Sequence, residues 1–321
     1  MDTNMQNQTP EAVSTAPVNK SRAKRIALIV VLWTLAVLVT ALIVVGVGIY
    51  RFHWSGSVVT AVESIVPYPS AMVNWRIISR SEYASRVEAF QKAVKYNQNY
   101  DFNDPKNAEE VNLQKQNILD RMIDMKLESI LAGQRNVKVS SAEIDKEIEL
   151  MTAQSGLKPE DLESMLDKVY GWKKSDFIEH VVTPQIVERK LQEALNADKS
   201  FNSDAFNIAE EVKQKIAAGE DFGALAAKYS IDSTTANAGG DLGWVGKGQF
   251  VPNFENAAFV LAPGQVSEII PTSFGLHIIQ MVEKNNGDAG EQIHAKHILI
   301  ATKNFGEWFT EQRTKATVWR F

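Results

Sequence analysis

Leu276-His277-Ile278-Ile279-Gln280-Met281 and Ile293-His294-Ala295-Lys296-His297-Ile298-Leu299-Ile300 read as two strands near the C-terminal end of the 321-residue chain. Apolar residues stand on both faces beside the histidines: Ile278, Ile279 and Met281 near His277, Ile298 and Leu299 near His297. A strand of that composition is covered on both sides. Asn285-Asn286-Gly287-Asp288-Ala289-Gly290 between them has the chemistry of a hairpin loop. Upstream, a helix from Phe206 to Ala218 stops at Gly219. DFGALAAKYS (221–230), GGDLGW (239–244), GKGQFVPNFENAAFVL (246–261) and PGQVSEIIPTSFGLHIIQM (263–281) follow. Glycine punctuation and alternating apolar residues make this an α+β region, short strands between short helices.

The N-terminal half has a different texture. Ile26 to Tyr50 is uninterrupted by charge, and as a helix it is about 37 Å long, enough to cross a bilayer. Lys20, Arg22, Lys24 and Arg25 precede it and Arg51 alone follows. The positive-inside rule places residues 1–25 in the cytoplasm as a tail and everything beyond Arg51 outside, on a single-pass anchor in the cell membrane. A cleaved signal peptide is the other reading, but the apolar run is long for one and no small-x-small site follows it. Residues 51–70, with Val66-Pro67-Tyr68-Pro69, form a linker.

Beyond the linker the chain is helical. Met72 to Ile78 reads as one strand, and Ser79-x-x-Glu82 opens a helix. Ala108 to Gly133 carries Ile118, Leu119, Met122, Ile123, Leu127, Ile130 and Leu131 at helical spacing, with Gly133 as its cap. Ser140-x-x-Glu143 opens another helix, Pro159 a third, and Asp176 to Asn196 is a fourth, kinked at Pro184. The charge balance excludes a nucleic-acid binder. Five of the 34 Lys/Arg and two of the 39 Asp/Glu lie in residues 1–51, leaving 29 against 37 and a body at −8 with no basic stripe. The absence of cysteine removes disulfides, thiolate metal sites and cysteine nucleophiles.

VNWRIISRSEY, the ILDRMIDMKLESILA helix, VKVSSAEIDKEIE and VYGWKKSDFIEHV together resemble the helical chaperone domain of SurA/PrsA-type foldases. The run from Phe206 onward resembles parvulin-type peptidyl-prolyl cis-trans isomerases. Such a module normally opens on a strand of the type x-x-x-His-Ile-Leu-Val, and LNADKSFNSDA ahead of Phe206 has none. The missing strand stands at the other end as Ile293–Ile300, so the module resembles a circularly permuted parvulin. In the family the first and last strands are antiparallel neighbours at the sheet centre, so a short loop can join them. A second module truncated after its first strand is the alternative, and it leaves the upstream sheet without its central strand. The resemblance implies a SurA-N-like helical domain at 71–198, completed by 304–321, with a parvulin (FKBP-like) domain inserted at 199–303. That domain would hold a four-stranded antiparallel sheet with surrounding helices.

The implied activity is proline isomerisation during the folding of secreted proteins, on unfolded or nascent polypeptides containing X-Pro bonds, with no cofactor, no metal and no nucleic acid. The alternative is a client-binding holdase whose isomerase module is inactive. By resemblance Leu242, Phe250 and Phe254 form the proline pocket, with Gln249 and Phe274 beside it. By residue type alone the three are ordinary core. His277 and His297 would share a hydrogen bond and, with Thr272, orient the site, or serve as structural support. Asp232 falls where relatives carry Asp or Cys, in what is otherwise a surface loop. A histidine metal triad is disfavoured, because His294 and His297, three apart, point to opposite faces of a strand.

Overall fold

A computed structural model describes residues 20–98, 100–287 and 290–321; of the expected cytoplasmic tail, residues 1–25, the first nineteen lie outside them and the rest begin the first helix. The chain divides after Tyr68 into two units. In the first, α1 (Lys20–Phe52) is followed by α2 (Ser57–Glu63), so the stretch expected as a linker holds a helix of its own. Leu28–Phe52 is 25 residues long with mean hydropathy 3.0; it is exposed over most of its length, and only Gly46, Gly48 and Ile49 near its end are buried. Length and apolarity suit it to a bilayer.

The second unit, Pro69–Phe321, opens on a hairpin of β1 (Pro69–Val73) and β2 (Arg76–Ser79). The single strand expected at 72–78 is therefore two. Asn74 and Trp75 both take positive φ, 45° and 67°, the backbone of a two-residue hairpin turn. Asn in the left-handed region is ordinary; Trp is not, and its ring lies 4.6 Å from that of Trp319. α3 (Arg80–Asn97) is capped by Ser79, whose hydroxyl accepts from the Glu82 N–H. α4 (Ala108–Gln134) is the long central helix, and it runs on past Gly133. α5 (Ser141–Ser155) starts with a complete Ser140/Glu143 capping box. α6 (Leu162–Tyr170) follows a 3₁₀ turn at Pro159–Asp161.

The fourth helix is not simply kinked. α7 (Lys174–Phe177) passes through a π-turn at Ile178–Val182 into α8 (Thr183–Asn196). Pro184 has no N–H to give to the carbonyl of His180, and the Arg86 guanidinium donates to that oxygen instead, at 3.2 Å. Ala71, Val73 and Ile78 of the hairpin pack with Ile123 and Leu127 of α4 and Leu191 and Leu195 of α8.

The isomerase-like half comprises α9 (Ser203–Ala217), α10 (Phe222–Tyr229), β3 (Asp241–Gly246), α11 (Pro252–Val260), β4 (Ile270–Thr272), β5 (Gly275–Gly287) and β6 (Gly290–Ile300). The sheet order is β3-β6-β5-β4, with every neighbour antiparallel. β5 and β6 form the centre, with Ile278 opposite Ile298 and Ile279 opposite His297. Their ladder continues through Asn286 and Glu291 to Gly287 and Gly290, so the strands take up most of the expected loop. Asp288 and Ala289 lie outside the described residues.

The chain then returns to the helical body. α12 (Phe305–Lys315) buries Trp308 in the core with α4 and α8. β7 (Val318–Arg320) pairs antiparallel with β1, Val73 opposite Val318 and Ala71 opposite Arg320. One buried side chain joins the two crossings: Asn202 donates to the Leu195 carbonyl at 2.8 Å and accepts from the Lys303 N–H at 3.0 Å.

Candidate active site

His277 on β5 and His297 on β6 are both 5% exposed. The strands hold their rings 5.4 Å apart with 21° between planes. The Nδ1 atoms are 3.2 Å apart, so one must donate and the other accept. The neighbours decide which. Asp232 Oδ2 lies 2.8 Å from His297 Nε2 and accepts from Thr235 Oγ1 at 2.6 Å. Oδ1 accepts from the Thr234 hydroxyl at 2.6 Å and its N–H at 3.0 Å. Partial burial alone would raise this carboxyl, but the bonds from Thr234, Thr235 and His297 hold it well below the usual carboxylate range. An ionised carboxylate only accepts, so His297 carries its proton on Nε2 and leaves Nδ1 as acceptor.

The remaining assignments follow. His277 donates through Nδ1 and accepts at Nε2. Thr272 Oγ1, 2.9 Å from that nitrogen, donates to it. The Thr272 oxygen in turn accepts from the Phe274 N–H at 3.1 Å. The hydrogen bonds run one way, from Phe274 N–H through Thr272, His277 and His297 to Asp232, with both histidines neutral. Burial pushes His277 down to about 3; protonating two imidazoles side by side would be unfavourable, which adds to the lowering, and Asp232 opposes it. Burial also lowers His297, against the pull of Asp232.

The chain is held from outside as well. The buried Asn196 amide at the end of α8 donates to the Thr272 carbonyl at 2.7 Å, so the helical body fixes one end. Gly240, at φ +77°, accepts from the His297 N–H at 2.8 Å. A Cβ there would lie 2.2 Å from the His297 carbonyl oxygen, so only glycine lets this backbone approach β6.

Phe254, 2% exposed, stands edge-on to both imidazoles, its centroid 5.1 Å from His277 and 5.9 Å from His297. Phe250 lies 4.6 Å from Phe254, and Leu242 and Phe250 border the same apolar cluster. The structure thus brings together Leu242, Phe250, Phe254, His277, His297, Asp232 and Thr272. It sets two expected residues apart from the histidines. Gln249 and Phe274 line a cleft of about 370 Å³ facing α5 and α8, and Phe274 serves the network through its backbone N–H while its ring is 64% exposed. His294 belongs elsewhere too, with Nε2 2.8 Å from Asp241 Oδ1.

Thr235, Thr234, Asn196 and Gly240 were not legible as site residues. Thr235 sits three residues after Asp232, a spacing that lets a loop hydroxyl return to its carboxylate. That was the one local signal. Asn196 is brought in only by packing between the two halves.

Comparison with known proteins agrees with this architecture. The SurA-like N-terminal domain family matches residues 19–181 and the PPIC-type PPIase domain family residues 188–283, the latter ending short of β6. Foldase protein PrsA of Halalkalibacterium halodurans is 31% identical over 188 residues, covering 50% of this chain and 56% of that protein. PrsA of a Geobacillus species is 34% identical over 179 residues, covering 50% and 62%. Chaperone SurA of Albidiferax ferrireducens is 36% identical over 144 residues, covering 43% and 28%. The chain thus spans about three fifths of the length of the PrsA relatives it matches. With the SurA-like N-terminal domain model matching half its length and a PPIC-type PPIase domain model following directly, the chain belongs to the SurA/PrsA-like family of proteins that carry both domains.

Proposed function

We propose that the protein is a membrane-anchored foldase that isomerises X-Pro bonds in unfolded secreted or extracytoplasmic polypeptides. One observation carries this: an apolar cluster of Leu242, Phe250 and Phe254 set edge-on against a closed, neutral histidine pair that ends on an ionised carboxylate. Rotation about an X-Pro bond has a barrier near ~20 kcal/mol and breaks no covalent bond. The site needs no nucleophile. It needs to hold the ring, exclude water and favour the twisted amide over the planar one.

Phe254 and Phe250 grip the proline ring. The histidines and Thr272 are positioning residues that keep Phe254 and the 272–274 turn in place. Asp232 cannot donate a hydrogen bond to the amide oxygen. Twisting the bond withdraws negative charge from that oxygen, so a nearby carboxylate disfavours the planar state more than the twisted one.

The module at 199–303 is a parvulin whose first strand is supplied last, as β6, and 71–198 with 304–321 form the client-binding body around it. α1 is the anchor, with residues 1–25 cytoplasmic and the rest outside; the basic cluster Lys20, Arg22, Lys24 and Arg25 supports that orientation.

The test is isomerisation of X-Pro peptides by the wild-type chain, Phe254→Ala and His277→Ala. Phe254→Ala should lower kcat/KM at least about tenfold more than His277→Ala. Loss of a buried Phe also costs about 3–5 kcal/mol of stability, so rates are compared at equal folded fraction by circular dichroism. If His277→Ala abolished turnover while Phe254→Ala stayed near wild type, the assigned roles would be reversed. If the wild-type chain turned over no peptide, the non-catalytic holdase would be the better description.

A further inference from the structure

Phe250 borders two parts of the molecule at once. The same ring that packs on Phe254 also lines the cleft of about 370 Å³ between the isomerase half and the helical body. One wall is the 248–252 loop and the Ser273-Phe274 turn; the other is α5 and α8.

The charges lining this cleft are already paired, one of them with a residue of α4. Arg189 reaches Glu147 at 3.0 Å, and Arg121 reaches Glu188 at 3.3 Å. What the walls leave open is amide: Gln154 on α5, Gln185 and Gln192 on α8, and Gln249 on the loop. None of these four side chains is hydrogen-bonded to another described residue. A primary amide offers both an acceptor and donors, the complement of a peptide unit. At the mouth stands the exposed Phe274 ring.

We propose that this glutamine-lined cleft receives the extended client chain next to the isomerised proline and binds it through its backbone. The proposal rests on the isomerase reading above. Amides matched to peptide groups, with no unpaired charge, recognise an extended polypeptide whatever its side chains, as a foldase acting on many unfolded clients requires. Because α8 supplies two of the amides and also the Asn196 bond to Thr272, the helical body takes part directly in holding substrate at the site.

The test uses the full chain in detergent and two kinds of Ala-Pro substrate, a tetrapeptide and longer peptides extended on each side of the proline. At a net 0.5–1.5 kcal/mol for each hydrogen bond, a long peptide extended on the correct side should show a KM about five- to tenfold below that of the tetrapeptide. Gln185→Met/Gln192→Met keeps the side-chain size and removes the amides. It should abolish that advantage and leave tetrapeptide kcat/KM within about twofold of wild type. Leu150→Trp, filling the cleft from α5, should abolish it as well. In the wild-type chain, esters replacing the flanking amides should also remove it.

A wild-type chain that treats long and short peptides alike, an advantage that survives both variants, or indifference to the esters would overturn the cleft while leaving isomerisation standing. Absence of turnover on every peptide would overturn both readings.

Discussion

In the isomerase half, the buried titratable groups end on partners: His277 on Thr272 and His297, and His297 on Asp232. The helical body is looser. Glu128, 3% exposed on α4, has one oxygen 3.6 Å from the largely exposed Arg121 and the other without a partner. Arg86 Nε and Trp172 Nε1 are likewise buried without partners among the described residues. A complete polar circuit specifies one geometry, as the proposed isomerisation site requires. Incomplete pairing leaves competing arrangements closer in energy, a property that suits the proposed client-binding role.

The largest test of this contrast is to remove the strands that close each half. Deleting 304–321 removes α12 and β7, and with them Trp308 and the edge pairing to β1. Hydrogen-exchange protection should fall in β1, α4 and α8 while β5 and β6 stay protected. Deleting 291–321 also removes β6, a central strand with Ile293 and Ile298 fully buried, and protection of the whole isomerase half should be lost. Persistent protection of β5 after the longer deletion would mean that β6 is an accessory strand and the permuted-module reading is wrong.

Next in size is the response to acid. His277 in the folded chain titrates at about 3, below its ordinary 6.5. The folded state therefore holds it neutral while the unfolded state takes up the proton. The stability this represents is complete above pH 6.5 and is lost as pH falls from there toward 3, on the order of 5 kcal/mol over the full range. The depressed Asp232 acts in the same sense, below its ordinary 3.8. Urea midpoints at pH 7, 5 and 4 should fall steeply for the wild type. They should fall less steeply for His277→Phe, which begins less stable because Thr272 and His297 lose their partner. Parallel curves would show that His277 is not buried neutral.

Much of this was legible in the sequence, for reasons tied to particular residues. His277 and His297 stood out because a histidine flanked by isoleucine and leucine in a strand must be buried and therefore partnered. The Ser140-Glu143 box works within one helical turn, so it reads locally. The β1–β2 hairpin did not read that way, because its turn is Asn74-Trp75 and lacks the glycine that announces positive φ. Pro184 announced a break, but a π-turn in place of a kink depends on Arg86, about a hundred residues earlier in the chain, to satisfy His180. Within the site, the bond from the Phe274 N–H to Thr272 was not legible, because backbone direction in a tight turn is set by the pairing of β4 with β5.

The smallest effect has the opposite sign and is the sharpest test of the contrast. Burial raises Glu128 from its ordinary 4.5 to about 7, Arg121 opposing and Glu188 and Asp124 reinforcing the shift. Here the folded state holds the proton that the unfolded state has released. Its contribution is complete below pH 4.5 and is lost as pH rises through 7, a difference of about 3 kcal/mol by pH 8. Glu128→Gln keeps the shape and removes the titration. It should match wild type at pH 4 and be more stable by up to about 3 kcal/mol at pH 8, measured by urea unfolding with exchange protection read at α4. Isomerisation of a tetrapeptide should not change, since Glu128 touches none of the site residues. Acid would then loosen the isomerase half and mild alkali the helical body. If Glu128→Gln were instead the less stable protein at pH 8, the ionised carboxylate would have a partner that compensates its burial, and the two halves would not differ in how they handle charge.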